Sequence, residues 1–152
     1  MNEPAAFEPA VIELTADGTH ALRRSVLRHD TPTKEVVFAE DDLPGTWHLG
    51  LAIDREVVAT SSWVPRAYEG APAVQLRGMA TARHLQGRGH GGLLLEAGCI
   101  RAQRQGAAVV WARARDAALV FYEHHGFEVV GDGFVDEATR LPHHLVVRRL
   151  PN

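Results

Sequence analysis

The chain has 152 residues, with 16 Lys plus Arg against 19 Asp plus Glu and a formal net charge of −3, so it offers one core's worth of sequence and no basic field for nucleic acid. Its composition, 45% hydrophobic and 23% charged, is ordinary for a globular protein, and no apolar run reaches the ~20 residues of a membrane span. Cys99 alone cannot build a disulfide framework and the stretch from Met1 to Ala10 has no apolar leader segment, so a single domain over residues 1–152 in a reducing, cytoplasmic setting is expected.

Val11-Ile12-Glu13-Leu14 is short, apolar and β-branched, and predicts a first strand. Thr19 is placed to N-cap a helix running to Arg28, with Leu22 and Val26 four apart on one face. Residues 29–45 carry Pro32, Pro44 and the triplet Glu40-Asp41-Asp42, and read as a loop. Trp47, Leu49, Leu51 and Ile53 alternate with smaller or polar residues and predict a strand. Asp54-Arg55 reverses the chain into a strand from Val57 to Val64, making an antiparallel hairpin. A Pro/Gly loop over 65–72 leads to a strand over 74–81, where Gly78 signals a bulge or a close backbone approach.

The stretch Leu85-Gln86-Gly87-Arg88-Gly89-His90-Gly91-Gly92-Leu93-Leu94-Leu95 then turns into a helix ending near Gln105, with Leu93, Ala97 and Ile100 on one face and Gly106 at the C′ position. Ala107 to Ala114 reads as a strand covered on both faces. Asp116 is placed to cap a helix over 117–125, closed by Gly126-Phe127. Residues 127–130 and 144–149 predict the last two strands. The order β-α-β-β-β-α-β-α-β-β, with early hairpins and later βα units, predicts a mixed α/β sheet.

The glycine turn carries the clearest chemical signal. Backbone N–H groups at a helix start lack intrahelical partners and carry positive potential, and glycines let a phosphate approach them without Cβ clashes. A flexible surface loop is the plain alternative, though such a loop rarely runs into a leucine triplet. Gly87-x-Gly89-x-x-Gly92 also fits the dinucleotide spacing G-x-G-x-x-G, but the spacer 82–86 and the 60 residues left after Gly92 disfavour that fold. No Gly-Lys-Ser/Thr closes the run as a P-loop would require. One strand further on, Tyr122 ends an amphipathic helix. It reads either as a packed aromatic or as a protonated phenol able to supply a proton to a leaving group.

Together these stretches resemble the GNAT superfamily of acyl-CoA-dependent N-acyltransferases. Gln86-x-x-Gly89-x-Gly91 satisfies that family's Q/R-x-x-G-x-G/A signature, and Ala118, Tyr122, Gly126 and Phe127 satisfy Ala-x-x-x-Tyr-x-x-x-Gly-Phe. The element order agrees along essentially the whole chain, which implies a mostly antiparallel central sheet with helices on both faces. The resemblance implies acetyl-CoA as co-substrate, with Gln86, Gly87, Arg88, Gly89, His90, Gly91 and Gly92 around its pyrophosphate. It implies that Met79, Ala80 and Thr81 pair main chain with the pantetheine arm. A backbone N–H of Met79 or Ala80 would polarise the thioester carbonyl, and Tyr122 would protonate the departing thiolate. The acceptor would be a small-molecule or peptide amine attacking directly. No membrane or nucleic-acid partner is implied, and a homodimer is left open.

Two departures accompany the resemblance. Arg115 stands where many relatives carry Asn, as in a poorly characterised subgroup that also shows Pro-His near its end, matched here by Pro142-His143. Arg115 is therefore either a coenzyme contact or a surface ion-pair partner. Gln75 and Arg77 occupy the strand where many relatives place a Glu base. An imidazole has the titration range of a base, so His143, expected in the loop before the last strand, is a candidate beside the bland reading of one structural hydrogen bond. The nine histidines show no zinc spacing, so no metal is expected. Acceptor specificity is expected in segments 29–45 and 131–143. Glu40, Asp41, Asp42, Asp132, Asp136 and Glu137 would there either attract a cationic amine or form a solvated acidic surface. A non-catalytic acyl-CoA sensor and a nucleotide-binding regulator are the alternative functions.

Overall fold

The computed structural model describes residues 8–151, so most of the stretch read for a leader lies outside the described residues. One seven-stranded sheet runs in the order β1-β2-β3-β4-β5-β7-β6. Its strands are β1 (Ala10–Leu14), β2 (Trp47–Ile53), β3 (Glu56–Pro65), β4 (Ala73–Thr81), β5 (Val109–Arg115), β6 (Glu128–Val135) and β7 (Pro142–Arg149). All neighbours are antiparallel except β4 and β5. The expected order of strands and helices is found.

The β2–β3 hairpin turns on Asp54 (φ 49°) and Arg55 (φ 69°), the twisted reversal that right-handed strands favour. Trp47 and Trp63 stack across this hairpin with centroids 5.0 Å apart. On that face lies α2 (His90–Arg104), which packs Leu94, Leu95, Gly98, Cys99 and Ala102 into the core. Leu93 and Ile100, expected on a shared face, are both exposed. The buried face is set by Gly98: a Cβ there would run into the Trp63 indole, so helix and ring touch at a glycine. Cys99 sits in this core, where burial pushes its thiol up to about 12 and leaves it no nucleophile. At the end of α2, Gly106 (φ 94°) lets Ala107 N–H reach back to Ala102 O. Gly126 (φ 81°) does the same after α3 (Leu119–His124), where Phe127 N–H donates to Tyr122 O.

Four local expectations change. Thr19 caps nothing; its hydroxyl donates to Ala16 O within a 3-10 turn, Asp17–Thr19. The turn leads into α1 (His20–Leu22), which widens to a π turn over Arg23–Leu27. Asp116 lies inside a 3-10 turn, Asp116–Ala118, and its carboxylate accepts from His144 Nδ1 at 2.7 Å instead of capping a helix. The strand expected to stop at Val130 continues to Val135 through a bulge opposite β7, with Gly131 at φ 75°. His143 is therefore not in a loop: it is the second residue of β7 and is buried. Among the described residues no helix is long and apolar enough to cross a membrane.

Candidate functional site

The site grows from two irregularities in β4. First, its pairing with β3 skips from Ser62↔Arg77 to Thr60↔Ala80, so the strand carries one extra residue where Gly78 stands. Gly78 has φ 62°, and a Cβ there would crowd the Arg23 guanidinium and the Phe38 ring, each at 3.1 Å. Second, the parallel ladder to β5 holds only Ala73↔Val109, Val74↔Val110 and Gln75↔Trp111. Beyond Gln75 the strands part, β4 continuing to Thr81 and β5 to Arg115. The edge of β4 that faces β5 is unpaired from Leu76 on, which opens a cleft inside the sheet.

Two adjoining cavities fill this cleft. The larger, about 400 Å³, is bounded by Met79, Ala80 and Thr81 on one side and by the glycine turn on the other. Gly87 (φ 79°) and Gly89 (φ 87°) take left-handed backbone with nothing within 4 Å of their absent Cβ positions. A Cβ on Gly91 would press on Thr81 Oγ1 at 3.3 Å and touch Phe121 at 3.5 Å, and His125 fills the position a Gly92 Cβ would take. Gln86 Nε2 donates to Thr81 O at 2.9 Å and ties the turn to the end of β4. Gln86, Gly87, Gly89, His90, Gly91 and Gly92 all line this cavity. Arg88 does not line it and is exposed.

The smaller cavity, about 250 Å³, is walled by β4, β5 and the residues Leu27, Arg28 and Phe38. Its wall includes His143, which stacks on Phe134 and sets Nδ1 2.9 Å from Leu141 O. Strand register explains the placement: His143 on β7 pairs with Arg115 on β5 and with Phe134 on β6. Arg115 also lines this cavity and not the glycine-lined one, and its Nη2 donates to Leu27 O at 2.6 Å. Of the two readings of Arg115, coenzyme contact or ion-pair partner, neither is decided by this placement, which sets it in the wall of the smaller cavity and away from the glycine turn.

Met79, Ala118 and Tyr122 line both cavities and mark their junction. Tyr122 is held by edge contacts with Phe121 and Phe127, and burial, with Cys99 nearby, raises its phenol well above the usual range. It stays protonated at any ordinary pH. Its hydroxyl makes no hydrogen bond to protein among the described residues, so its proton is available to whatever occupies the junction.

Of the six loop carboxylates, only Asp136 lines either cavity. Burial pushes Asp41 up, but hydrogen bonds from Arg23 and from Phe38 N–H outweigh that and hold its carboxyl below the usual range. Glu40 is engaged by Arg77 and Arg66. Asp136 accepts from Thr139 N–H and Oγ1, each at 2.9 Å. Asp42, Asp132 and Glu137 are exposed and line neither cavity. Glu40, Asp41 and Asp136 are thus taken up by contacts within the fold, and the other three are solvated. What sequence reasoning missed is the opposite charge: Arg28, Arg77, Arg113 and Arg115 all line the smaller cavity. The Ala112-Arg113-Ala114-Arg115 alternation was the available signal, since in a strand it sends both guanidiniums to one face. Among the described residues, no group of three or more His, Cys, Asp or Glu is placed to hold a metal ion.

A family model described as an acetyltransferase (GNAT) domain matches residues 33–129. The chain is 25% identical over 137 residues to the uncharacterized N-acetyltransferase YitI of Bacillus subtilis (strain 168), covering 88% of this chain and 91% of that protein. Its fold is similar to an acyl-CoA N-acyltransferase from Pseudomonas aeruginosa, with TM-score 0.76, 22% identity and coverage of 93% and 99% of the two chains. It is also similar to an aminoglycoside 6′-N-acetyltransferase solved in complex with coenzyme A, with TM-score 0.75, 13% identity and coverage of 94% and 98%.

Proposed function

Because the chain belongs to the GNAT acetyltransferase family and is an acyltransferase, we propose that it moves an acetyl group from acetyl-CoA to the primary amine of a small-molecule or peptide acceptor. The observation that carries this reading is the junction at Met79, Ala118 and Tyr122, where a glycine-lined cavity meets a second, smaller one. Two substrates entering from opposite sides meet there. The open left-handed backbone at Gly87 and Gly89 fits a phosphate chain, because no side chain stands between it and the turn. The unpaired edge of β4 fits an extended arm carrying amides. When bound, the coenzyme supplies a thioester with an electrophilic acyl carbon.

The chain's own residues then have separate tasks. Main chain at the Gly78–Met79 bulge donates an N–H to the acyl oxygen, where charge develops during attack. Tyr122 Oη gives its proton to the sulfur as the carbon–sulfur bond breaks and the carbon–nitrogen bond forms. His143 receives the proton lost by the amine, directly or through water, from its place in the smaller cavity. The walls orient the two substrates, and no protein nucleophile is needed. Thiol release from acetyl-CoA in the presence of an amine panel tests the reading. Amine-dependent thiol release with acetylated amine as product is expected. Tight coenzyme A binding with no turnover on any amine would overturn it in favour of a sensor.

A further inference from the structure

We propose that the acceptor carries an oxyanion, a carboxylate or a phosphonate or phosphate, held by Arg113, Arg115 and Arg28 in the smaller cavity. This rests on the transferase reading above and specifies its second substrate. Four arginines line that cavity against one carboxylate, Asp136. Arg77 is compensated by Glu40, but the other three retain donors without acceptors among the described residues. Arg115 uses only Nη2, on Leu27 O. Arg28 uses Nε on Glu35 O and Nη1, weakly, on Leu27 O, leaving Nη2. Arg113 makes no hydrogen bond among the described residues; it lies over the Phe134 ring at 4.8 Å and comes only within 3.9 Å of Asp136.

These guanidiniums also crowd one another. Arg28 has its pKa lowered by burial first and then by the charges of Arg115 and Arg77. All remain cationic, so like charges are held together facing a cavity with too little carboxylate to balance them. An anionic group placed there relieves the repulsion and meets paired N–H donors, the geometry in which arginine binds carboxylate or phosphate best. None of the four lines the glycine cavity, so the coenzyme's pyrophosphate has its own separate cradle. The same positive field disfavours the ammonium form of an acceptor, and so favours the neutral amine that attacks. A purely cationic polyamine is the acceptor this wall would reject.

Matched acceptors test the proposal: L-alanine and L-phenylalanine, their carboxamides, the decarboxylated amines ethylamine and phenethylamine, and 1-aminoethylphosphonate. Thiol release should give kcat/KM at least tenfold higher for an acid than for its amide or bare amine. The phosphonate separates carboxylate from phosphate-type recognition. Arg113→Gln should remove most of that preference by lowering kcat/KM for the acids, with no loss of kcat/KM for the bare amine. Binding is read independently by titrating N-acetyl-L-alanine, N-acetyl-L-phenylalanine and their amides into the protein with coenzyme A present. Tighter binding of the acids with no turnover of any amine would uphold the subsite and overturn the transferase reading. Equal turnover and equal binding within each pair, or no binding of either member, would overturn the subsite. Weakened coenzyme A affinity in Arg113→Gln would assign that arginine to the coenzyme and overturn it as well.

Discussion

Tyr122 shows how one residue acquires a task from its surroundings. Periodicity alone made it a helix aromatic; its place at the junction of two cavities, with a protonated hydroxyl unbonded to protein among the described residues, supports the donor role proposed for it. On the proposed function, Tyr122→Phe keeps the ring contacts with Phe121 and Phe127 and removes only the proton. A fall in kcat of about 10²–10⁴-fold is expected, with the KM for acetyl-CoA little changed. Steady-state kinetics on the folded variant check this, and wild-type turnover would return Tyr122 to packing. Because burial raises the phenol, the donor should stay protonated throughout, so loss of activity below neutral pH would be traced to the base and not to Tyr122. Tyr122 and the glycines were legible because backbone rules and a family pattern mark them. The arginines were not, because a charged strand face is ordinarily solvated, and only the parting of β4 from β5 turns it into a cavity wall.

At the scale of elements, turns governed by local geometry were readable and faces governed by packing were not. Gly106 and Gly126 end their helices as left-handed caps, a requirement written in one residue each. The leucine triplet of α2 contains no such instruction: 93, 94 and 95 are equally apolar, and only the contact of Gly98 with Trp63 turns 94 and 95 inward. The π turn after α1 and the bulge that carries β6 past Gly131 were hidden for the same reason, since each is set by the elements it packs or pairs with and not by its own residues. The glycine turn invites a split test. Gly89→Val forces a branched residue to φ 87° in open space, whereas Gly91→Val adds volume against Thr81 and Phe121 within the helix. Both should abolish coenzyme A binding by calorimetry while circular dichroism reports an intact fold. Unchanged affinity in either variant would remove that glycine from the cradle.

For the whole molecule, the buried guanidinium of Arg23 joins parts that are distant in sequence. Its donors reach Val36 O, both Asp41 oxygens and Ser62 Oγ, at 2.7–2.9 Å, tying the π turn and the 38–42 turn to β3 beneath the Gly78 bulge. Asp41→Asn removes one charge from a fully buried pair, which typically costs about 3–5 kcal/mol. Urea unfolding should show that loss, and an unchanged midpoint would make the clamp dispensable. The pH dependence follows from the depressed Asp41 carboxyl. Its contribution is fully present above the unfolded pKa of about 3.9 and is lost as pH falls through the lower folded value. Wild-type stability should therefore drop more steeply than that of Asp41→Asn below about pH 4.

The unpaired edge of β4 has a consequence that needs no turnover to detect. Backbone amides with no strand beside them trade their hydrogens for deuterium quickly, even in the middle of a sheet. Alternate amides within 76–81 should exchange fast in the free protein, unlike those of 73–75, which sit beside β5. Coenzyme A should slow them by lending its pantetheine amides as a surrogate strand, while adenosine 3′,5′-bisphosphate, which lacks that arm, should protect the glycine turn alone. Mass spectrometry of the peptide spanning 73–81 reads the difference directly, and identical uptake with either ligand would mean that the arm lies elsewhere.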